Sequence, residues 1–340
     1  MIIKDEIYGT ISFSETEKRL IDTAEFQRLH RIKQMALTYL VYPGATHTRF
    51  AHALGTMHLT SQIADKLQIG NEEKQELRLY ALLHDIGHLA FSHDSEKILK
   101  TYLGDHEKIG EQKVCKEEIA DILNENHSAK EIWRIGESKK GEIVTSDLGA
   151  DRMDYLTRDA HNTGVAYGII DTDRLTHTLC IENGELCIEE RGLEAAETLL
   201  IARFMMFSTV YLHKTTRIAA AMFRKAVEMA IENKDINAEE FLGLGDDEAL
   251  MLLRKTSGKE FVERILNRKL YKAIKELDSL PKQKFGNGMI IDLPYPEKGI
   301  DFKVKAGDKL VPITELSELI KALKLSGAKR NKILVLEARD

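Results

Sequence analysis

Leu82-Leu83-His84-Asp85-Ile86-Gly87-His88-Leu89-Ala90-Phe91-Ser92-His93 is the stretch whose reading decides the fold. Two apolar residues lead into an adjacent His-Asp pair, and both members of that pair can ligate a metal. Read as part of a helix over residues 72–90, the run puts His88 one turn after His84 on the same face. Gly87 keeps the surface open between them. His93 comes one turn later, or on the loop that ends the helix. This is too polar for a plain core and too apolar for a solvated face. A buried charge is retained when it is paired or metal-bound. The stretch therefore reads as a metal-binding segment set in a helical framework.

The rest of the chain agrees with a helical framework. Its 340 residues fit two domains, or one large domain with an appendage. Pro is rare, and apolar residues recur at helical spacing over the first two thirds. Residues 2–13 read as an extended lead-in. Ser14 followed by Glu17 is a capping-box start. Helices are expected over residues 25–37, 48–69 and 148–159, with one or two more over 192–231. Another is expected to begin at His106. Residues 179–188 alternate about Asn183-Gly184 and predict a β-hairpin. Past about residue 233 the texture changes. Charge-rich helices are expected to residue 277, then strands at 289–293, 300–304 and 333–336 around a helix at 315–323. The expected fold is mainly α, with a helical core over residues 1–232 and a small α+β region over 233–340.

The net charge of −6, with both signs mixed, argues against a broad nucleic-acid or membrane surface. Cys115, Cys180 and Cys187 form no CxxC pair, so a reducing compartment is expected rather than a disulfide framework. No apolar run has signal-peptide or bilayer-spanning length, so a cytoplasmic protein is expected. Neither a Walker P-loop nor a GxGxxG is present.

One His-Asp pair does not complete a metal site. A third candidate, His52, lies in Thr48-Arg49-Phe50-Ala51-His52, where Arg49 and His52 share a helical face. A cation beside a metal ligand suits an anionic substrate. Residues 150–159, ADRMDYLTRD, would place Asp151, Arg152, Tyr155 and Asp159 on one side of a helix, with Met153 and Asp154 pointing elsewhere. A carboxylate, a guanidinium, a phenol and a second carboxylate on one face suit metal, phosphate and sugar hydroxyl.

In chain order, His52, His84-Asp85 and Asp151 make the H…HD…D signature of the HD-domain phosphohydrolase superfamily, which this chain resembles. The blocks FQRLHRIKQ, YPGATHTRFAHALG, LLHDIGHLAFSH, DHEK, ADRMDYLTRD and YLHK are similar to successive blocks of its deoxynucleoside triphosphate triphosphohydrolase branch. The likeness covers about residues 15–220. It implies an HD-domain helical core and metal ligation by His52, His84, Asp85 and Asp151. It also implies catalytic or phosphate-contacting roles for His88, His93 and His106. Arg49, Arg152, Tyr155 and Arg203 would contact phosphate, and Gln34 and Asp159 would hold the sugar hydroxyl. Arg152 stands where relatives often carry Lys, which exchanges a point charge for a planar fork. Phe207 stands where well-known members carry His. Asp22, Gln27 and His30 fall where some members bind an activating guanine nucleotide, with His30 in place of an Arg. A nucleotide effector and a homo-oligomer are thus also implied.

These residue types suit their chemistry. Imidazole and carboxylate together fit one divalent transition metal, Mn, Fe, Co, Ni or Zn, and Mg could accompany the substrate phosphates. Such a metal lowers the pKa of a bound water, to ~7 in zinc enzymes. Arginines neutralise the phosphates that would repel a hydroxide. The leading expectation is hydrolysis of a (deoxy)nucleoside triphosphate at the α-phosphorus, to nucleoside and tripolyphosphate. The alternatives are a phosphomonoesterase or phosphodiesterase on another nucleotide, or a nucleotide-sensing module with little turnover. His88 occupies the Lys position of the HDIGK cyclic-dinucleotide enzymes, and their GYP block is missing.

Overall fold

The computed structural model describes residues 1–280, 288–294, 302–327 and 331–338. The lead-in is a hairpin of β1 (Ile2–Asp5) and β2 (Gly9–Ser12), closed where the Asp5 carboxylate accepts the Ile7 and Tyr8 amides at 2.8 and 2.9 Å. Ser14 and Glu17 cap the Glu15–Ile21 helix reciprocally. The helix expected over residues 25–37 breaks early. It runs Ala24–Arg28, tightens to a 3₁₀ turn at Leu29–Arg31, and then extends. The extension lets Lys33 bridge Thr48 and lets the Ile32 carbonyl accept the Arg49 amide at 3.0 Å. A continuing helix would have consumed those groups internally.

Three helices then build the site: Arg49–Lys66, Asn71–Leu83 and Ala150–Thr163, with the first packed against the other two. Thr48 caps the first helix. The predicted hairpin forms from β3 (Leu179–Glu182) and β4 (Glu185–Glu189), with Cys180 opposite Cys187. After it come helices Leu193–Met206 and Lys214–Glu232, joined by a π turn at Phe207–Tyr211.

Helices Asp246–Leu253 and Lys259–Leu266 follow. The remaining strands are β5 (Lys272–Leu277), β6 (Ile290–Asp292), β7 (Lys303–Ala306), β8 (Lys309–Pro312) and β9 (Ile333–Glu337). Residues 272–277 are thus strand where helix was expected. The reason is tertiary: β9 is almost wholly apolar and buried, and β5 and β6 pair on its two sides. β7 adds parallel to β4, with Ile188 opposite Val304, and pairs with β8 on its other side. Residues 300–301 of an expected strand lie outside the described residues. The late helix is Glu318–Gly327. The fold is mainly α with a small α+β part toward the C-terminus.

Burial forms two apolar clusters. The first surrounds the three site helices. The second joins Leu89, Phe91 and Leu99 to Phe223, Phe241, Leu253, Val262 and Leu336, so packing runs across residue 233. Among the described residues no single helix is long and apolar enough to cross a membrane.

Candidate metal centre

His52 comes from the second turn's start of Arg49–Lys66, His84 and Asp85 follow directly on Asn71–Leu83, and Asp151 lies in the first turn of Ala150–Thr163. The three helices bring these four side chains together. His52 Nε2 lies 3.1 Å from Asp151 Oδ1 and 3.6 Å from Asp85 Oδ2. His84 Nε2 lies 3.4 Å from Asp85 Oδ1 and 3.7 Å from Asp151 Oδ1. Both imidazoles are aimed by their other nitrogen. His52 Nδ1 is 2.7 Å from Asp154 Oδ2, and His84 Nδ1 is 2.8 Å from the Ala81 carbonyl oxygen.

Both Nε2 atoms are buried and make no hydrogen bond. Two orphaned imidazole nitrogens facing two carboxylates fit a divalent transition metal, because its coordination satisfies all four at once. The carboxylates demand positive charge here. Burial opposes protonation of His52, but Asp151 and Asp154 outweigh it and push that imidazole up to about 10. Burial likewise opposes ionisation of Asp85, but Arg49 and the neighbouring histidines hold its carboxyl well below the usual range.

Asp154 corrects the helical-wheel expectation. It is fully buried and lies one turn beyond Asp151, so the His52 ring is clasped between the two. Arg158, also fully buried, pairs with Asp154 at 2.9 Å and continues to Asp5 of the N-terminal hairpin at 2.9 Å. Gly55 leaves the room for this pair, since a Cβ there would lie 1.9 Å from Asp154 Oδ1.

The opening motif is not a continuing helix. Asn71–Leu83 stops at its C-cap, His84, and residues 84–92 turn across the site. The buried Arg28 guanidinium donates to the Ile86 and His88 carbonyls at 2.7 and 2.8 Å, taking acceptors that a helix would use. Gly87 is pressed against the His106–Val114 helix; a Cβ there would meet the His106 carbonyl oxygen at 1.9 Å and the Gly110 nitrogen at 2.4 Å. Gly87→Ala therefore forces two backbones apart. A loss of about 1–3 kcal/mol of stability is expected, read as a lowered urea midpoint; an unchanged midpoint would refute this contact.

His88, His93 and His106 also meet. His88 stacks on His106 with centroids 4.2 Å apart and an interplanar angle of 8°, and His93 stands edge-on to both. Glu96 lies 2.8 Å from His106 Nδ1 and 3.5 Å from His93 Nδ1. Their ligand atoms are close enough to suggest a second cation. The parallel rings of His88 and His106 oppose that, because one cation cannot lie in both ring planes. Burial, with Arg49 and His106 nearby, holds the His88 imidazole well below its usual range. Burial opposes ionisation of Glu96, but His106 and His93 outweigh it and hold its carboxyl well below the usual range.

On the other side, Arg152 and Arg203 converge on Asp147. Arg152 Nε and Arg203 Nη1 are buried without a hydrogen bond; Nη1 stands 3.5 Å from Asp147 as an ion pair only. Tyr155 sits among Arg152, Arg203, Asp151 and Asp159, and burial raises its phenol. Asp159 Oδ2 accepts the Tyr211 hydroxyl at 2.6 Å, and its Oδ1 lies 2.7 Å from His47 Nε2. Gln34 Oε1 is buried and unsatisfied. Arg49 pairs with Asp85 and donates to Ser92 Oγ at 2.7 Å. Phe207 opens the π turn that presents Tyr211. Asp22, Gln27 and His30 are exposed; Gln27 donates to the Ile21 carbonyl at 2.8 Å, and His30 stacks on Phe50 at 3.5 Å.

Asp154, Arg158, Asp147, Glu96, His47, Tyr211 and Arg28 were not singled out from sequence. Arg28, His47, Asp154, Arg158 and Tyr211 lie within the motif blocks and Glu96 stands one turn after His93, but which side chains they meet is set by tertiary contacts.

A family model for the HD domain matches residues 49–159, and one for the HD associated region matches residues 170–288, well past the point where the motif likeness ended. A solved structure of a hypothetical protein from Aquifex aeolicus superposes with a TM-score of 0.86 at 32% identity, covering 99% of this chain and 96% of that one. A phosphohydrolase structure from Bacteroides thetaiotaomicron superposes with a TM-score of 0.85 at 25% identity, over 100% of both chains. The human deoxynucleoside triphosphate triphosphohydrolase SAMHD1 is 26% identical over 93% of this chain and 62% of its own length. The chain spans little more than half the length of the curated relatives it matches at higher identity. An uncharacterized protein of Methanocaldococcus jannaschii, for example, is 42% identical over 80% of this chain and 58% of its own.

Proposed function

The chain belongs to the HD-domain family and has an HD phosphohydrolase fold, and from that premise we propose that it is a metal-dependent nucleotide phosphohydrolase. We propose further that it cleaves (deoxy)nucleoside triphosphates at the α-phosphorus, releasing nucleoside and tripolyphosphate. The likeness to SAMHD1 supports the substrate class. The observation that carries the reading is the pair of buried, unpartnered Nε2 atoms of His52 and His84 facing Asp85 and Asp151.

His52, His84, Asp85 and Asp151 would hold a divalent transition metal, which would supply Lewis acidity. The rest falls to the chain. Arg152 and Arg203 take the phosphates with Nε and Nη1, buried donors that make no hydrogen bond, and Tyr155 adds a hydroxyl. Arg49, already against Asp85, places positive charge between ligand and phosphate. His88, with Nε2 3.3 Å from Asp85, can orient the attacking water. His106, with Nδ1–H held by the Glu96 carboxylate, can give a proton from Nε2 to the departing nucleoside oxygen when it is the imidazolium, and returns to the neutral Nδ1–H form. Gln34 and Asp159 hold the sugar hydroxyl.

The test is incubation of metal-loaded protein with a panel of nucleotides and separation of products by ion-pair chromatography. Nucleoside with tripolyphosphate supports the reading; orthophosphate with a nucleoside diphosphate refutes cleavage at the α-phosphorus and places it at the terminal phosphoanhydride instead.

Asp159→Asn separates sugar recognition from chemistry. A hydrogen bond to a charged group contributes ~1.5–3 kcal/mol, so kcat/KM for nucleotide should fall by about one to two decades. Metal content should not change, because Asp159 lies two turns from Asp151. Bis(p-nitrophenyl) phosphate, which has no sugar, should be cleaved equally by both proteins. Equal loss on both substrates would move Asp159 into the catalytic group.

A further inference from the structure

Phe91 and Ser92 are consecutive non-glycine residues in the left-handed region, with φ of 58° and 48°. Such a conformation lasts only where its surroundings over-determine it. Four contacts do so here. Ser92 N donates to the Leu89 carbonyl at 2.8 Å. The Phe91 ring packs on Phe223 with centroids 4.2 Å apart. Ser92 Oγ accepts Arg49 Nε at 2.7 Å. The Phe91 amide donates to Asp246 Oδ1 at 2.7 Å.

Asp246 is the unexpected member. It opens the Asp246–Leu253 helix, far along the chain from the HD motifs, and is only 1% exposed. Its second oxygen accepts the Lys33 amide at 2.9 Å, next to Gln34. One buried carboxylate therefore ties the segment bearing Gln34 to the segment bearing Ser92 and His93. The docking is close: a Cβ on Gly245 would lie 2.4 Å from Arg31 Cβ and 2.8 Å from the Arg31 carbonyl oxygen, and Glu248 pairs with Arg31.

We propose that Asp246 is a positioning residue for the active site. It acts through Phe91 and Ser92 on Arg49, and through Lys33 on Gln34. It touches no substrate. The charge matters, because an ionised carboxylate offers acceptors to both amides, whereas an asparagine must turn an N–H₂ toward one of them. The inference rests on the phosphohydrolase reading of this site.

The test compares Asp246→Asn with wild type and with Asp247→Asn at the exposed neighbour. Asp246→Asn should keep its metal content and lower kcat/KM by about ten- to a hundredfold; Asp247→Asn should match wild type. Hydrogen exchange supplies a readout that does not depend on substrate. In Asp246→Asn, exchange should rise about tenfold or more at residues 31–35 and 89–94, with the helices after residue 246 unchanged. If Asp246→Asn does not fold, Ser92→Ala decides, since it cuts the same line downstream and should show the same loss. Wild-type kcat/KM in Ser92→Ala would overturn the proposal. So would exchange that rises through residues 246–266 while 31–35 and 89–94 stay protected. If wild type turns over no nucleotide, the functional reading fails, and the exchange pattern still judges Asp246 alone.

Discussion

Asp85→Ala is expected to give a helical protein that purifies without bound metal and turns over no nucleotide. Asp85 sits at the middle of the charge pattern. Its oxygens lie 3.4 Å from His84 Nε2, 3.3 Å from His88 Nε2 and 3.6 Å from His52 Nε2, and it pairs with Arg49. Removing it deletes one candidate ligand and also leaves the Arg49 guanidinium facing the imidazoles of His52 and His84 with its charge uncompensated. Both changes disfavour a dication. A fall in kcat/KM of about a thousandfold or more is expected, with metal by ICP-MS dropping from one per chain to background. Far-ultraviolet circular dichroism should match wild type, because Asp85 belongs to a turn and caps no helix. A variant with full metal and full rate would remove Asp85 from the centre.

Asp154→Ala should be the most destabilising single change near the site. Asp154 and Arg158 are both fully buried, and Arg158 Nε and Nη2 donate to Asp154 at 3.0 and 2.9 Å. Breaking a buried ion pair from one side costs about 3–5 kcal/mol, because the other charge stays buried. The lower end applies, since Arg158 keeps Asp5 at 2.9 Å. The same substitution strips His52 Nδ1 of its carboxylate and leaves it Thr56 Oγ1 at 3.5 Å, and loss of such an orienting carboxylate weakens metal affinity by about 10–100-fold. Urea unfolding and competition titration against a chelator read the two effects separately. Lost stability with wild-type metal affinity would make Asp154 a core residue only, and would leave the aim of His52 to packing.

The four candidate ligands were legible because they stand in ordered short blocks, and chemistry restricts which residue types can share a cation. The capping box at Ser14, the Asn-Gly hairpin and the helical texture were legible for a related reason. Each is a local pattern whose physics is complete within a few residues. The same locality misled the reading of residues 84–90. Periodicity favours helix there, but Arg28, remote in sequence, takes the carbonyls and Gly87 yields its space to a neighbouring helix. Residues 272–277 misled in the same way, because the need to pair β9 outweighed their own propensity.

By itself, the sequence determined that this chain is a mainly helical HD-domain protein and which histidines and aspartates could meet at a metal. Only the tertiary structure decided how those groups are aimed. Asp154 turns His52, Asp147 gathers Arg152 and Arg203, Tyr211 and His47 hold Asp159, and Asp246 fastens the strained link before His93. The physical reason is distance along the chain. A ligand's identity is a property of one residue, but its orientation depends on a partner brought near by packing, and even partners inside the motif blocks, such as His47, Asp154 and Tyr211, do not disclose in sequence which side chain they will meet.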